Sequence, residues 1–374
     1  MANILINGLN SKTGGGKSIL NNYLSILIAN GNSNKYYVLT PNKNEYEKYS
    51  NDFIEVIEIN SFYLKSFLFP YVYRFIIPGI LKKLNIKVVF NLADIPIVTQ
   101  ISQVFLFDWS YAVYPKSIVW ERMDLKSWFS RKVKLFYFKK NLKYISTMVA
   151  QTNTMKKRLE RLYEIENIYV IPNSVSLENI IAGELYDFKL PKGRIKLLYL
   201  TYYYPHKNLE IFISIAKKIK QLSLPYCLVT TISETQHKKA KEFINSIKDE
   251  GLEDIIINLG PVEMKNVPSV YIQCDALLMP TLLESFSGTY VEAMHHKKTI
   301  LTSNLDFATD VCGDAAFYFN PLDEISILNT INIAFNDSDL RLQKIEKGIN
   351  KLSHLLNWEQ AFIRYQDLIE RSIK

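Results

Sequence analysis

The stretch that decides the fold is ALLMPTLLESFSGTYVEAM, residues 276–294. It opens with four apolar residues, Ala276–Met279, which have the length and composition of a buried strand. A loop rich in serine and glycine follows, and the spacing of the last apolar residues indicates a helix. Glu284 lies in the predicted loop, and Glu292 lies about one turn into the predicted helix. The stretch therefore predicts a strand, loop and helix that carry two carboxylates.

This arrangement suits a bound diphosphate. Backbone amides at a helix N-terminus, here around Ser287–Thr289, lack partners within the helix and favour an anion. Carboxylates such as Glu284 and Glu292 accept hydrogen bonds from sugar and ribose hydroxyls. The alternative is a capping glutamate followed by an ordinary surface glutamate of a helix.

Strand-like runs alternate with helical periodicity on both sides of this stretch, which predicts parallel sheets covered by helices on both faces. In the N-terminal half the predicted strands are Asn3–Asn7, Tyr36–Leu39, Phe53–Ile57, Lys87–Phe90, Val104–Phe107 and Met148–Gln151. In the C-terminal half they are Ile195–Leu200, Tyr226–Thr230, Ile255–Leu259, Ala276–Met279 and Thr299–Thr302.

A chain of 374 residues exceeds what one core usually supports, so we expect two domains. The predicted fold is α/β, with two Rossmann-like domains that face each other across a cleft. The predicted boundaries are 1–172, 173–355 and a terminal helix at 356–374 that could pack back on the first domain. Because ligands of parallel sheets bind beyond the carboxyl ends of the strands, the loops there should carry the functional residues.

A glycine-rich segment follows the first strand. We expect Asn10–Ser18 to be a loop and Ile19–Ile28 a helix. Gly16-Lys17-Ser18 matches the end of a P-loop, but the glycine that this motif needs at position 11 is Ser11 here. A plain tight turn is a second alternative. The third is a loop in which Gly15 and Gly16 let a phosphate approach the backbone closely.

Two more loops carry candidate polar residues. Asp108 ends the strand Val104–Phe107, where its carboxylate is either functional or a helix cap. Lys207 lies at the start of the helix predicted for Leu209–Leu222. A cation is unfavourable at that end of a helix unless it binds an anion, so Lys207 is either a phosphate ligand or a solvated lysine.

The net charge of +8 is concentrated in the segment Lys126–Lys143, which holds seven basic residues and no acidic one. Aromatic residues lie among them, and Phe62–Leu81 is a second apolar segment. We expect this part of the chain to contact an anionic membrane surface, with a buried amphipathic helix as the alternative. No motif for nucleic-acid recognition accompanies the charge, so no nucleic-acid partner is expected. Three widely spaced cysteines and the absence of a signal-like N-terminus predict a cytoplasmic protein, peripheral at the inner face of the membrane.

The spacing of Glu284 and Glu292, which are separated by seven residues and followed by Ala293-Met294, resembles the signature of family 4 of the glycosyltransferases, retaining enzymes of the GT-B fold. His206-Lys207-Asn208-Leu209 resembles the segment of that family that contacts the donor phosphates. The resemblance covers the C-terminal half well. It covers the N-terminal half only through the glycine loop and the sheet pattern.

The resemblance implies transfer of a sugar, of the hexosyl type, from a nucleotide diphosphate donor to a glycan or lipid-linked saccharide in surface polysaccharide biosynthesis. It implies that Glu284 binds the donor sugar, Glu292 the ribose, and Lys207 the diphosphate, without an obligatory metal or other cofactor. The implied catalytic residues are Glu284, Lys207 and Asp108. The implied donor-binding residues are Gly15, Gly16, Thr201, Lys207, Glu284, Ser285, Phe286, Ser287, Gly288, Thr289 and Glu292.

The chain departs from the family pattern at three positions. Thr201-Tyr202 replace a glycine-arginine pair, Asp108 or Trp109 replaces a histidine, and Ser287 replaces a glycine. The alternatives to a transferase are a P-loop-like nucleotide hydrolase, a sugar-nucleotide epimerase of the same fold, and a non-catalytic protein that binds membranes or nucleic acids.

Overall fold

The computed structural model describes residues 1–11, 14–175 and 185–373 of the chain. Lys12 and Thr13 of the glycine-rich segment lie outside the described residues. The chain divides into two compact units. Unit 1 comprises Met1–Pro115, Met123–Ser174 and Leu356–Lys374, and unit 2 comprises Lys116–Arg122 and Val175–Leu355.

Unit 1 is built on a seven-stranded sheet in the order β3-β2-β1-β4-β5-β6-β7, and every neighbouring pair is parallel. Its strands are β1 (Asn3–Asn7), β2 (Lys35–Thr40), β3 (Ile54–Glu58), β4 (Ile86–Asn91), β5 (Ser102–Phe107), β6 (Thr147–Ala150) and β7 (Ile168–Val170). Its helices are α1 (Gly14–Asn30), α2 (Lys43–Tyr46), α3 (Phe69–Tyr71), α4 (Ile77–Lys83), α5 (Leu125–Asn141), α6 (Asn153–Tyr163) and the last helix of the chain, α14 (Trp358–Arg371). A π-helical turn, Val72–Ile76, joins α3 to α4.

Both faces of the unit 1 sheet are buried. Ile4 and Ile6 of β1 point to the face covered by α1 and α14, whereas Leu5 points to the opposite face, which α4 covers. The side chain of Gln366 on α14 donates to the Tyr23 hydroxyl at 2.9 Å and accepts from the Tyr36 hydroxyl at 3.2 Å. The C-terminal helix is therefore part of the unit 1 core.

Unit 2 has a six-stranded parallel sheet in the order β10-β9-β8-β11-β12-β13. Its strands are β8 (Ile195–Tyr199), β9 (Tyr226–Thr230), β10 (Ile256–Asn258), β11 (Ala276–Met279), β12 (Thr299–Ser303) and β13 (Ala316–Phe319). Its helices are α7 (Ile211–Gln221), α8 (Lys238–Asp249), α9 (Val267–Gln273), α10 (Gly288–His295), α11 (Asp306–Cys312), α12 (Glu324–Asn336) and α13 (Ser338–Leu352).

The predicted α/β fold with two Rossmann-like domains is confirmed, and every predicted strand is present to within one or two residues at each end. Two short strands, β7 and β13, were not predicted. The predicted start of the first helix at Ile19 was wrong, because α1 already begins at Gly14. Gly15 and Gly16 therefore lie in the first turn of a helix and not in a loop.

The predicted position of Lys207 at a helix start was also wrong. Lys207 ends a 3-10 turn, Pro205–Lys207, and α7 begins only at Ile211. Asn208 separates the two elements because its backbone is left-handed, with φ of 56°. A residue in that conformation cannot continue a right-handed helix.

Across the described parts of the chain, no helix is both long enough and apolar enough to cross a membrane.

Candidate active site

The candidate site lies in unit 2, where the strand order of the sheet reverses. The first strand of the unit, β8, pairs with β11, the fourth, so the loops after these two strands leave the sheet side by side. Ligands of doubly wound sheets bind at this point because the crossover helices diverge to opposite faces there. The two loops carry Lys207 and Glu284.

The structure brings these two predicted residues into contact. The Lys207 Nζ donates to Glu284 Oε1, and their side chains are only 14% and 11% exposed. The Thr281 hydroxyl lies 3.4 Å from the same carboxylate oxygen. Each charge of this largely buried pair is compensated by the other. A ligand that carries both an anion and hydrogen-bond donors could bind the lysine with the first and the glutamate with the second.

Backbone contacts hold the two loops together. The Leu282 N–H donates to the His206 carbonyl at 2.8 Å, and the Thr281 hydroxyl donates to the same carbonyl at 3.1 Å. The Tyr199 hydroxyl donates to the Lys207 carbonyl at 3.0 Å. Both sides of the ion pair are therefore fixed by their backbones, which limits the positions available to the charged groups.

Asn208 connects this site to a distant part of the sequence. Its side-chain amide donates to the carbonyls of Pro280 at 3.2 Å and Pro321 at 2.7 Å. The side-chain oxygen of Asn208, Oδ1, accepts from Arg122 Nη1 at 2.5 Å. Arg122 is held in turn by its own carbonyl, which accepts from Lys239 Nζ at 2.9 Å. Because Lys116–Arg122 belongs to unit 2, a segment from the N-terminal half of the chain supports the loop that carries Lys207.

Helix α10 begins next to the ion pair. Ser285 and Ser287 are buried, and the hydroxyls of Ser287 and Thr289 lie 2.8 Å apart. Ser287 has the extended backbone of an N-cap residue but no side-chain cap hydrogen bond, and the helix starts at Gly288. Phe286 is partly exposed. The Tyr290 N–H donates to the Ser287 carbonyl at 3.3 Å. The amides at the start of a helix generally lack partners within it, which makes this end suited to a phosphate.

Glu292 lies one turn into α10, as predicted. Its Oε2 accepts from the Tyr271 hydroxyl at 3.0 Å, and Tyr271 stacks on His296 with ring centroids 4.9 Å apart. Burial raises the pKa of Glu292 above its usual range, and the hydrogen bond from Tyr271 offsets part of that shift. Burial lowers the pKa of His296 to about 4, with a smaller contribution from the positive charge of His295. His296 is therefore neutral at pH 7.

Thr201 lies just after β8 and is held by Thr231, which lies just after the neighbouring strand β9. Its N–H donates to the Thr231 hydroxyl at 3.0 Å, and that hydroxyl donates back to the Thr201 carbonyl at 3.1 Å. Beyond it, Tyr204 stacks on His206 with centroids 5.4 Å apart, and Tyr202 is 43% exposed. Aromatic rings therefore line the loop where the family has glycine and arginine.

Gly15 and Gly16 lie in unit 1, after β1. Gly14 has φ of 60° and needs to be glycine for its backbone. A Cβ on Gly15 would meet no atom within 4 Å, and one on Gly16 would meet Ser11 only at ordinary contact distance. The fold of unit 1 therefore does not require glycine at these two positions, which leaves close approach by a ligand as a reason for them.

Asp108 also lies in unit 1, at the carboxyl end of β5, and it is partly buried. Burial and, secondly, the negative charge of Asp108 raise the pKa of the Tyr365 hydroxyl on α14. Asp108 therefore lies near the C-terminal helix. The residues that the structure brings together directly are Lys207 and Glu284 of unit 2, whereas Asp108, Gly15 and Gly16 belong to the environment of unit 1.

Among the described residues, no group of three or more His, Cys, Asp or Glu side chains is arranged to hold a metal ion. Three supporting residues, Arg122, Tyr271 and Thr281, were not predicted as part of the site. Thr281 and Tyr271 lie in or near the deciding stretch, so their proximity in sequence was a usable signal. Arg122 is 86 residues from its partner Asn208, and no pattern in the sequence links them.

Comparisons with known proteins agree with this geometry. Residues 185–351, within unit 2, match the family model described as "Glycosyl transferases group 1". The O-antigen chain mannosyltransferase RfbU of Salmonella typhimurium (strain LT2) is 27% identical over 194 residues, which are 51% of this chain and 51% of that protein. The chain thus matches about half the length of this curated relative.

Solved glycosyltransferase structures share the whole fold. A glycosyltransferase from Rickettsia africae ESF-5 superimposes with a TM-score of 0.73 at 16% identity, covering 100% of this chain and 99% of that one. HepE of Anabaena in complex with UDP and glucose gives 0.72 at 15% identity, covering 99% and 100%. WaaG, a glycosyltransferase involved in lipopolysaccharide biosynthesis, gives 0.73 at 13% identity, covering 99% of each chain. The chain therefore has the GT-B fold, and its residues 185–351 match the group 1 glycosyltransferases.

Proposed function

We propose that this protein is a retaining glycosyltransferase that moves a hexosyl group from a nucleotide diphosphate donor to a glycan or lipid-linked saccharide in surface polysaccharide biosynthesis. One observation carries the proposal: the buried Lys207–Glu284 ion pair lies beside the N-terminus of α10, at the point where the strand order reverses. The family match of this unit and the similarity to a mannosyltransferase support it.

In this proposal Lys207 and the first amides of α10 bind the diphosphate. Both supply positive charge where the leaving group becomes more negative, so they stabilise the transition state more than the bound donor. No obligatory metal is needed in this scheme, because the ammonium group and the helix N-terminus take over charge neutralisation. Ser285, Phe286 and Ser287 would then shape the pocket for the sugar and phosphates, together with Thr289.

Glu284 has the second role. When the donor phosphate takes over the ammonium group of Lys207, the carboxylate of Glu284 is released to accept hydrogen bonds from sugar hydroxyls. One charge-assisted contact is replaced by two, between Lys207 and the phosphate and between Glu284 and the sugar hydroxyls. The free-energy cost of desolvating the charged groups is therefore small. Glu292 is proposed to accept from the ribose hydroxyls, and Gly15 and Gly16 to let the donor phosphates approach the backbone of α1.

The reaction is proposed to proceed by front-face displacement with retention. The acceptor hydroxyl attacks the anomeric carbon, the bond to the diphosphate breaks, and the departing phosphate oxygen takes the hydroxyl proton. The protein then needs to position the reactants and stabilise charge more than to supply a strong base. Asp108 is proposed to orient the acceptor hydroxyl, in the place where the family has a histidine.

A P-loop-like hydrolase is the weaker alternative. The lysine that such a loop would aim at the phosphates is Lys17, and its Nζ pairs with Glu45, with both side chains partly exposed. A cytoplasmic location, with unit 1 held at the inner face of the membrane by the basic segment Lys126–Lys143, completes the proposal. That location would give access to a lipid-linked acceptor.

The proposal is tested in two steps. Thermal unfolding with UDP, GDP and ADP identifies the base, because a ligand that binds only the folded state raises the melting temperature. Sugar transfer from the matching donor is then measured for the parent and for Glu284→Ala. We expect the variant to lose transfer by at least about 100-fold while it remains folded.

Glu250→Ala is the matched control. Glu250 forms an exposed ion pair with Lys217 in the same unit. Its loss should leave transfer unchanged. Full turnover by Glu284→Ala, or stabilisation by none of the three nucleotides, would overturn the assignment.

A further inference from the structure

Unit 1 has a cavity that the proposed transferase chemistry does not use. It has a volume of about 90 Å³ and lies between the α3 segment and α5. The residues that line it are Phe69, Pro70, Tyr73, Arg74, Ile95, Val98, Tyr137, Lys140 and Asn141. A nucleotide sugar needs a pocket of roughly 300 Å³ or more. The cavity is about the size of three water molecules, which suits a phosphate group.

The charge of the lining is one-sided. Arg74 and Lys140 contribute two cations from separate elements, and none of the described residues lining the cavity is acidic. Both side chains are exposed. The negative charge of Asp94 reaches the lining residue Tyr73, but Asp94 is already paired with Lys134. An anion is therefore the favoured occupant.

Exposed aromatic rings accompany the two cations. Arg74 lies over the ring of Phe75 and Lys140 over that of Phe136, and these rings are 60% and 57% exposed. Phe67 and Phe129, from the same two stretches of sequence, are 69% and 65% exposed. Soluble surfaces rarely expose so many large rings together unless they bind something. Aromatic rings interleaved with basic residues are typical of surfaces that lie in the headgroup region of a membrane.

We propose that this cavity binds the phosphodiester headgroup of an anionic membrane lipid, with Arg74 and Lys140 on the phosphate and the surrounding rings inserted among the acyl chains. The inference deepens the proposed membrane contact of the transferase, because it replaces a diffuse basic surface with one defined lipid site. Phe69, Ile95 and Val98 form the apolar wall against which the glycerol part of the lipid would lie.

The test compares three variants of the full chain. Sedimentation is measured with phosphatidylcholine vesicles that contain about 30% phosphatidylglycerol, and with pure phosphatidylcholine. Arg74→Ala/Lys140→Ala removes the two cavity cations. Lys126→Ala/Lys143→Ala removes the same charge from the same surface outside the cavity. Val98→Phe keeps every charge and fills the cavity.

We expect the parent to bind the anionic vesicles. The cavity pair should weaken binding about tenfold more than the control pair, because diffuse attraction treats equal charges alike. Val98→Phe should weaken binding at least about fivefold although its charge is unchanged. Melting temperatures check that each variant is folded, and the exposed cavity pair remains informative if Val98→Phe does not fold.

Equal losses for the two charge pairs, or no binding by the parent, would overturn the proposal. Competition by millimolar inorganic phosphate in solution, without any vesicle binding, would show a phosphate site that is not a lipid site and would overturn it too. The nucleotide-induced rise in melting temperature is recorded for all variants. It should persist in each of them, so a failure of the lipid site and a failure of the transferase assignment remain distinguishable.

Discussion

The two sheets reverse their strand order at the same topological position, but they place opposite chemistry there. In unit 1 the reversal lies between β1 and β4, whose last residues, Asn7 and Asn91, are partners in register. In unit 2 it lies between β8 and β11, whose loops carry the Lys207–Glu284 ion pair. One position is neutral and the other is charged.

The unit 1 network satisfies its own hydrogen bonds. Asn7, Asn91 and Gln103 are fully buried. The Asn7 amide donates to Asn91 at 2.9 Å, and the Asn91 amide donates to Gln103 at 3.1 Å and to the Ile95 carbonyl at 3.2 Å. The Gln103 amide donates to two backbone carbonyls. A closed neutral network of this kind stabilises the crossing of the strands and has no capacity left for a ligand.

The unit 2 position holds charges that a ligand can recruit. The ammonium group of Lys207 and the carboxylate of Glu284 can each make more than one hydrogen bond, and they lie next to the N-terminus of α10. The comparison shows that topology alone does not make a site. The same reversal serves stability when its polar groups satisfy one another, and it becomes a candidate site when they are ionised and turned to a helix N-terminus.

The largest expected effect comes from the ion pair. Lys207→Met and Glu284→Gln each leave one buried charge without its partner, so each should lower the free energy of unfolding by about 3 kcal/mol. The double variant should regain most of that stability, because no charge is left unpaired. All three should lose transfer activity by about 100-fold or more. Chemical unfolding and donor turnover are measured on the same preparations.

The exposed pair Lys217–Glu250, with side chains 50% and 44% exposed, provides the control. Lys217→Met/Glu250→Gln should change neither stability nor turnover measurably. If the double variant at Lys207 and Glu284 recovered activity along with stability, the ion pair would only stabilise unit 2. Its role would then be the same as that of the buried amides in unit 1.

The converse change in unit 1 should affect stability alone. Asn91→Ala removes the acceptor of the Asn7 amide and of the Ala93 N–H, which donates to Asn91 at 3.0 Å, in a buried place. We expect a loss of about 3 kcal/mol in the free energy of unfolding. The shift in melting temperature produced by the nucleotide should stay the same. Asn44→Ala, at an exposed position of α2, is the control. A lost nucleotide response with intact stability would reverse the roles assigned to the two positions.

A smaller effect is expected from Arg122, which acts on the ion pair only through Asn208. Arg122→Ala should lower kcat about tenfold with little change in nucleotide affinity, because the loop with Lys207 loses one support but keeps its charge. Arg122→Lys retains a donor and should restore part of the rate. Arg194→Ala removes a partly exposed arginine of the same unit and should have no effect. A kcat that is unchanged in Arg122→Ala, or equal in the alanine and lysine variants, would contradict the positioning role.

These contacts also show which features of the fold and the site could be predicted from the sequence. The strands and Glu284, Glu292 and Lys207 follow from short-range patterns, since an apolar run and the residues just after it are local features. The GT-B fold could therefore be predicted and is confirmed. The catalytic and binding roles of the named residues stay predictions.

Long-range contacts could not be predicted in this way. The ion pair joins residues 77 positions apart, and the Arg122 contact joins residues 86 positions apart. Two local predictions were wrong because of backbone conformation. The glycines lie in the first turn of α1 and not in a loop, and the left-handed Asn208 separates Lys207 from the helix that begins at Ile211. The burial that shifts the pKa of Glu292 is likewise a property of the packed unit.

The smallest expected effect lies at Glu292, where the candidate site works against stability. Burial raises the pKa of this carboxyl above the ordinary value of 4.5, so the folded state holds the proton more tightly than the unfolded chain does. Stability is therefore lost as the pH rises above the ordinary pKa, because the folded state then has to hold an ionised carboxylate in a buried place. Glu292→Gln removes the charge and keeps an acceptor for Tyr271. Its melting temperature should exceed that of the parent by about 2 °C at pH 7 and match it near pH 4.

The nucleotide should stabilise this variant less than it stabilises the parent, whereas Glu346→Gln on the exposed face of α13 should change neither value. If the variant were no more stable than the parent at pH 7 and its nucleotide response were unchanged, Glu292 would have a structural role like the amides of unit 1. It would then not bind the ligand together with the ion pair of unit 2.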